Sequence, residues 1–261
     1  MRKTVAIVTG GSSGIGLETA RALRARGAAV YALSRRPAEG EHFCLDVADF
    51  AAVRAAVEEV LAREGRIDIL VNCAGMGISG ALEFTPEEDA RRLMEVNVIG
   101  LSNAMRAVFP AMRRQRSGRV VNVSSVAAVA PIPFQAWYSA SKAAVNALTM
   151  AAANEVRPWG VDVVAVMPGD TRTGFTAARK KTAAGDDVYG GRIARSVEKM
   201  ERDEAGGMSA AEAGRRIANI ALRRAAPPVS SLGLGYKACA MLAKLLPARA
   251  VRALLRALYA R

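Results

Sequence analysis

Short apolar runs alternate with longer amphipathic stretches along most of the chain. The short runs predict strands at residues 4–9, 28–34, 42–45, 67–72, 119–124 and 161–167. The longer stretches predict helices at residues 17–26, 49–63, 86–114, 137–157 and 209–224. Strands that alternate with helices in this way form β-α-β units and a parallel sheet. The pattern therefore predicts an α/β fold, with one doubly wound parallel sheet and helices on both of its faces.

Composition excludes several classes of protein. The chain of 261 residues has three cysteines without a C-x-x-C pair and one histidine, so we expect neither a disulfide framework nor a metal site. No run of roughly 20 uncharged apolar residues predicts a transmembrane helix. A strand begins almost at once after the opening M-R-K, which leaves no room for a signal peptide. We therefore expect a cytoplasmic protein.

The net charge of +13 is concentrated near the end of the chain. Ten of the 37 basic residues follow Glu212, and no acidic residue does. Residues 1–212 carry 27 basic and 24 acidic side chains, so the body is close to neutral. This distribution, without a recognised nucleic-acid module, argues against a nucleic-acid binder.

A glycine-rich turn, G-G-S-S-G-I-G at residues 10–16, joins the first strand to the first helix. Glycines permit a tight turn and let the backbone approach a pyrophosphate, which the helix N-terminus attracts. In this strand–turn–helix context the turn predicts dinucleotide binding. The residues assigned to it are Gly10, Ser12, Ser13, Gly14, Ile15 and Gly16.

A second motif places Lys142 four residues after Tyr138, within a predicted helix. At this spacing both side chains lie on one helical face. An ammonium group there would favour tyrosinate and lower the pKa of the phenol. The alternative is a packed tyrosine and a solvated lysine, and the motif alone does not decide between them.

Six motifs in order make the chain resemble the short-chain dehydrogenase/reductase family. They are T-G-G-S-S-G-I-G at 9–16, N-C-A-G at 72–75, Asn97, V-N-V-S-S at 121–125, Y-S-A-S-K at 138–142 and P-G-D-T-R-T at 168–173. The resemblance implies a Rossmann-type sheet, a nicotinamide cofactor and hydride transfer between a carbonyl and an alcohol. Cys73 departs from the family's usual second asparagine, while Asn72, Ala74 and Gly75 are kept. The hydroxysteroid and retinol dehydrogenase-like branch is the most similar.

The resemblance also implies roles for individual residues. Tyr138 matches the family's acid/base, Lys142 the lysine that also binds the nicotinamide ribose, and Ser125 the serine that hydrogen-bonds the substrate oxygen. Asn97 matches the asparagine that holds a proton-relay water. Further matches are Asp46 and Val47 beside the adenine, Asn72, Ala74 and Gly75 along the cofactor, and Pro168, Gly169, Thr171 and Thr173 near the nicotinamide.

The end of the second strand bears on the choice between NAD and NADP. Sites selective for NAD place a carboxylate there, which would repel a 2′-phosphate. Here Ser34 is followed by Arg35 and Arg36, and a guanidinium binds phosphate well. The sequence therefore favours NADP(H), with Arg35 as the preferred contact. The alternative is a solvated arginine in a turn.

Several residues near Tyr138 are apolar, among them Val126, Ile132, Phe134 and Trp137. They suit a lipophilic ketone or alcohol that is steroid-like or retinoid-like. The alternative is that these residues belong to the core. The polar segment 174–207 is predicted to be a mobile flap over the site. With this flap, residues 1–231 are assigned to the Rossmann-type domain.

Residues 232–261 are predicted to form a basic amphipathic helical extension. Arg249, Arg252 and Arg256 share one helical face, while Val251, Leu254, Leu255 and Leu258 share another. Leu242, Leu245 and Leu246 extend the apolar surface upstream. Such a helix binds a membrane interface, or its leucines pack on the protein itself or on a second subunit of a homodimer or homotetramer. Both alternatives for this helix stay open.

An alternative function for the whole protein also stays open. It is a catalytically silent, cofactor-binding regulatory protein on the same fold.

Overall fold

A parallel sheet of seven strands forms the centre of the protein in the computed structural model, which describes residues 3–260. In spatial order the strands are β11 (Val229–Leu232), β7 (Val161–Pro168), β6 (Gly118–Val123), β4 (Ile69–Asn72), β1 (Val5–Thr9), β2 (Ala29–Ser34) and β3 (His42–Cys44). Each neighbouring pair is parallel, so all seven strands end at the same edge. The predicted doubly wound α/β fold is confirmed.

Helices cover both faces of this sheet. They are α1 (Gly14–Arg24), α2 (Phe50–Glu64), α3 (Glu87–Met94), α4 (Leu101–Gln115), α5 (Ala136–Val156), α6 (Phe175–Ala178), α7 (Arg192–Ala205), α8 (Ala210–Leu222), α9 (Leu234–Leu245) and α10 (Ala248–Tyr259). One buried core joins α2, α4 and α5 to the sheet, and a second joins α1 and α8 to its other face. Helices α1 and α8 approach closely, because a Cβ at Gly214 would lie 2.5 Å from the Glu18 carbonyl carbon.

Four shorter strands pair outside the main sheet. They are β5 (Ile78–Ser79) with β9 (Lys180–Lys181), and β8 (Thr171–Arg172) with β10 (Met208–Ser209). Both pairs attach the segment 174–207 to the body. This segment contains α6 and α7, and its mobility stays a prediction.

Local sequence signals explain where two of the helices, α2 and α8, begin. Asp49 accepts a hydrogen bond from the Ala52 amide at 3.1 Å and begins α2, and Ser209 accepts one from the Glu212 amide at 3.2 Å and begins α8. The helical stretches predicted at 86–114 are α3 and α4, and a π-helix at Glu95–Gly100 lies between them.

The strand β11 was not predicted, and the C-terminal extension that was predicted to be helical forms two helices, α9 and α10. V-S-S-L is too short and too polar to be read as a strand, yet it pairs with β7 along its whole length. The boundary assigned at residue 231 falls inside this strand, so the C-terminal extension begins directly at the edge of the sheet.

Candidate active site

The glycine-rich turn packs tightly against itself at the end of β1. Gly10 has φ of 68°, and its amide donates to the Leu33 carbonyl at 2.8 Å. A Cβ at Gly16 would lie 2.3 Å from the Gly10 carbonyl oxygen, so only glycine fits where α1 starts. Within residues 3–260 no side chain caps this start and no acidic residue lies in its first turn. The backbone amides of the turn are therefore suited to an anionic ligand.

Beneath the turn, a row of buried polar side chains connects the ends of four elements. The Asn72 amide donates to Asn122 Oδ1 at 2.9 Å, and the Asn122 amide donates to Thr149 Oγ1 at 2.9 Å. Thr9 Oγ1 accepts from the Ala74 amide at 3.1 Å. Asn72 was predicted to touch cofactor, but its side chain lies in this row and not on the wall of the cavity described below. Asn72 instead helps to hold the end of β4, and Ala74 follows two residues later.

Two arginines follow β2 beside the glycine turn. The Arg36 guanidinium donates to Ser13 Oγ at 3.4 Å, and Arg35 lines the same cavity. The Ser34 hydroxyl is buried and donates to the Arg36 carbonyl at 2.8 Å, which holds the backbone of this turn. The structure thus brings both arginines to the turn and joins Arg36 to Ser13 directly.

Asp46 is held in its ionised form by its neighbours. Burial opposes ionisation, but hydrogen bonds from the Ala48 amide and the Arg92 guanidinium lower the pKa of the carboxyl below its usual value. Arg92, on α3, also lines the cavity and was not singled out in the sequence. It is separated from Asp46 by 46 positions, so no local motif could have indicated the pair.

Tyr138 and Lys142 lie together on α5, as their spacing predicts. The Lys142 ammonium donates to the Val123 carbonyl at 3.0 Å and lies 5.7 Å from the centre of the Tyr138 ring. Ser125 follows two residues after the end of β6, and its hydroxyl accepts from the Ala127 amide at 3.2 Å. A hydrogen bond links Ser125 to Tyr138. A serine and a tyrosine hydroxyl thus face the same space.

The expected lowering of the phenol pKa is not met by the protein alone. Burial raises the pKa of Tyr138 to about 12, although its hydrogen bond with Ser125 lowers it. Burial also lowers the pKa of Lys142 to about 8. Desolvation therefore outweighs the neighbouring charges, and a positively charged nicotinamide would act in the opposite direction. A phenol with this pKa keeps its proton at neutral pH and is available as a proton donor.

Asn97 sits in the π-helix between α3 and α4. Its side-chain oxygen accepts from the Met76 amide at 2.8 Å, and its nitrogen donates to the Met76 carbonyl at 3.0 Å and to Ser141 Oγ at 3.1 Å. The side chain is buried and lies outside the cavity wall, but Met76 belongs to that wall. Asn97 therefore positions the loop after β4, and its predicted relay-water role stays a prediction.

One continuous cavity of about 720 Å³ extends from the glycine turn past Tyr138 to the C-terminal helices. All of the predicted site residues line it except Asn72 and Asn97. The sequence missed several other lining residues, among them Asp170, Glu204 and Tyr236. Asp170 lies within the P-G-D-T-R-T motif, which assigned it no role, while Glu204 and Tyr236 lie outside the quoted motifs.

The C-terminal extension forms one wall of this cavity. Leu242 and Leu246 contribute from the α9 segment, and Leu254, Leu255 and Leu258 from α10. No residue of α10 is buried, and Leu254 and Leu258 are 52% and 47% exposed. These leucines therefore line the cavity and also reach its opening.

Contacts with α7 hold α10 in place. The Tyr259 hydroxyl donates to Asp203 Oδ2 at 3.1 Å, and the Lys199 ammonium lies 5.4 Å from the centre of the Tyr259 ring. Arg192 donates to the Ala260 carbonyl at 3.1 Å. The expectation that this helix packs on the protein's own body is thus met at its end, while much of its apolar face remains exposed.

The comparison with known families agrees with this geometry. The sequence profile of the short chain dehydrogenases matches residues 4–184, which is more than half of the chain. The chain belongs to the short-chain dehydrogenase/reductase family. Short-chain dehydrogenase/reductase proteins use nicotinamide cofactors, so this chain is placed among the oxidoreductases.

Similar proteins include a reductase named for 3-ketodihydrosphingosine and a dehydrogenase named for a hydroxysteroid. A 3-ketodihydrosphingosine reductase of Bacteroides thetaiotaomicron is 38% identical over 239 residues, which cover 89% of each chain. Human 17-beta-hydroxysteroid dehydrogenase type 1 is 36% identical over 195 residues, or 67% of this chain and 59% of that protein. A solved short-chain dehydrogenase from Streptomyces avermitilis superimposes with a TM-score of 0.83 at 32% identity, covering 98% of this chain and 96% of its own.

The residues of this short-chain dehydrogenase/reductase fit a dinucleotide. The packed glycines at Gly10 and Gly16 keep the turn free of side chains where a pyrophosphate would lie, and the start of α1 offers uncapped amides. Asp46 lies beside the far end of the cavity, and Lys142 lies beside Tyr138. Within residues 3–260, no group of side chains could hold a metal ion, and no helix is long and apolar enough to cross a membrane.

Proposed function

We propose that this protein is an NADPH-dependent reductase that converts a ketone on a long apolar chain into a secondary alcohol. The observation that carries the proposal is that Ser125 and Tyr138 share one cavity with a wall of leucines from α9 and α10. The similarity to a 3-ketodihydrosphingosine reductase over 89% of both chains supports a linear, lipid-like substrate more than a steroid or a retinoid.

The proposed chemistry assigns a task to each hydroxyl. When bound, NADPH supplies the hydride that reduces the ketone carbon. Ser125 would donate a hydrogen bond to the ketone oxygen and stabilise the negative charge that develops there. Tyr138, which keeps its proton at neutral pH, would transfer that proton to the oxygen and complete the alcohol. Lys142 would hold the cofactor ribose and help to replace the proton.

A ketone panel tests the proposal directly. Purified protein is mixed with NADPH and with 3-ketodihydrosphingosine, a ketosteroid, retinal or a short ketone, and the loss of NADPH absorbance is followed. We expect the highest kcat/KM with 3-ketodihydrosphingosine, because only a long chain contacts the leucine wall. Equal turnover of the short ketone, or no turnover of any lipophilic carbonyl compound, would contradict the proposal.

The two arginines after β2 are predicted to select NADPH over NADH. Each guanidinium can make a charge-assisted hydrogen bond with a 2′-phosphate, so Arg35→Ala or Arg36→Ala should lower kcat/KM for NADPH roughly 10- to 100-fold. The values for NADH serve as the control and should hardly change. If NADH is the better cofactor of the unaltered protein, the assignment is wrong.

The outer side of the tail is proposed to contact an anionic membrane. Leu234, Met241 and Leu245 on α9 are 85%, 59% and 73% exposed and lie outside the cavity wall. Exposed basic side chains accompany them, at Lys237, Lys244, Arg249, Arg252 and Arg256. Leucines that enter the headgroup region beside cations suit a peripheral contact, which would bring the cavity opening to membrane-dissolved substrates.

Vesicle sedimentation measures this contact. We expect the full chain to sediment with phosphatidylglycerol vesicles at low salt, and Leu245→Glu to bind about tenfold more weakly because one exposed leucine is lost. Phosphatidylcholine vesicles are the control. A full chain that stays in the supernatant would rule the contact out. If Leu245→Glu instead dissociates a dimer or tetramer in gel filtration, this face binds a second subunit.

A further inference from the structure

The wall of the cavity carries an acidic side chain, Asp170, next to the end of β7. Asp170 lies two residues after Pro168, which is the last residue of β7. Asp170, Ser125 and Tyr138 all line the same cavity. The ends of parallel strands at the sheet edge are where ligands bind in this class of fold, so the position of Asp170 is within the ligand site.

The protein fixes this carboxylate through one of its two oxygens. Tyr236, from α9, donates its hydroxyl to Asp170 Oδ2 at 2.6 Å. The Tyr236 ring lies against Gly169, where a Cβ would come within 2.3 Å of the ring. Within residues 3–260 no hydrogen bond reaches Asp170 Oδ1. The carboxylate is thus oriented by a rigid aromatic side chain and keeps one oxygen available.

The surrounding charges leave Asp170 without an ion-pair partner. Glu204, the other carboxylate on this part of the wall, is bonded to Arg179 and Thr176. Lys199, the nearby cation, is paired with Asp203 at 2.9 Å. Burial raises the pKa of Asp170, and the negative charges of Asp203 and Glu204 raise it further. A cation beside Asp170 would therefore relieve an unfavourable charge.

The charge of Asp170 also reaches the reacting group. Asp170 and Glu204 both contribute to the raised pKa of the Tyr138 phenol, although burial is the larger cause. Because Asp170 and Tyr138 line the same cavity, one bound ligand could place a positive group at Asp170 and a carbonyl at Tyr138. This arrangement favours a ligand that carries a small cation next to its ketone.

We propose that the carboxylate of Asp170 binds a protonated amino group on the carbon next to the substrate ketone. The inference rests on the proposed reductase function and makes its substrate class narrower: a long-chain α-amino ketone. The chain would lie along the leucine wall, the ketone would face Ser125 and Tyr138, and the ammonium would donate to Asp170 Oδ1. 3-Ketodihydrosphingosine has an amino group in this position.

A substrate series on the unaltered protein provides the first test. It compares 3-ketodihydrosphingosine with its N-acetyl derivative and with the same long-chain ketone lacking the amino group. We expect kcat/KM to be roughly 10- to 100-fold higher for the free amine, as for one charge-assisted contact. Equal values for all three would overturn the inference and leave the reductase proposal standing. Turnover of none of them would count against the reductase proposal itself.

A matched pair of variants provides the second test. Asp170→Asn keeps the size of the side chain and removes its charge, so the ratio of kcat/KM for the free amine to kcat/KM for the ketone without amine should fall to about one. Asp187→Asn, at an exposed position outside the cavity, removes the same charge and should change neither value. An equal loss for both substrates in Asp170→Asn would assign the residue to packing or cofactor binding. If that variant does not fold, the substrate series still decides.

Discussion

Replacing Tyr138 with phenylalanine is expected to lower kcat by about 10³-fold or more while the affinity for NADPH hardly changes. The phenol is the proton donor in the proposed reaction, and burial keeps it protonated at neutral pH. The ring itself packs near Phe175, with 5.8 Å between ring centres, and phenylalanine preserves that contact. The loss should therefore be chemical and not structural.

Two measurements accompany this variant. Thermal unfolding should give nearly the same Tm as the unaltered protein, and NADPH titration should give a similar Kd. A folded Tyr138→Phe protein that keeps substantial turnover would refute the assigned mechanism. If the unaltered protein binds NADPH tightly yet reduces no ketone, the catalytically silent alternative is correct.

Ser125→Ala is expected to lower kcat by about 10²- to 10³-fold, which is the usual loss when one donor to a developing oxyanion is removed. The backbone should persist, because β6, which ends two residues before Ser125, pairs with β4 and β7 on either side. The contact from the Ala127 amide to the serine hydroxyl is lost, together with the hydrogen bond to Tyr138. KM for the ketone should change much less than kcat, since the hydrogen bond strengthens as charge develops.

The double variant separates shared from independent roles. If Ser125 and Tyr138 act on the same oxygen as a unit, Ser125→Ala in the Tyr138→Phe background should cost little further. Fully multiplicative losses would show that the two hydroxyls act at separate points of the reaction.

Much of the cofactor end of the site could be predicted because its signals are local. The turn from Gly10 to Gly16 and the Tyr138–Lys142 spacing lie within single segments, and their geometry follows from a helix start and from one helical turn. The pKa of the Tyr138 phenol could not be predicted from these local signals. The spacing correctly placed Lys142 beside Tyr138, but the pKa of the phenol depends on how much water the rest of the fold excludes, and burial outweighed the local charge.

The substrate end could be predicted less well, because its contacts join distant parts of the chain. Tyr236 is bonded to Asp170 across 66 positions, and Tyr259 to Asp203 across 56. The amphipathic pattern of the last helix indicated an apolar face, but the pattern cannot say what that face lines. Asn97 likewise contacts Met76 and Ser141 across 21 and 44 positions, and no helical period in the sequence encodes the π-helix that carries it.

The place of β11 at the sheet edge also sets an order of events during synthesis. The chain emerges from the ribosome starting at its N-terminus. The six strands β1, β2, β3, β4, β6 and β7 are therefore available before β11 joins them, together with the glycine turn and Tyr138. Helices α9 and α10 emerge after β11 and close the leucine wall afterwards. On the proposed function, the part of the site that selects a long-chain substrate is then completed after the part that binds the cofactor.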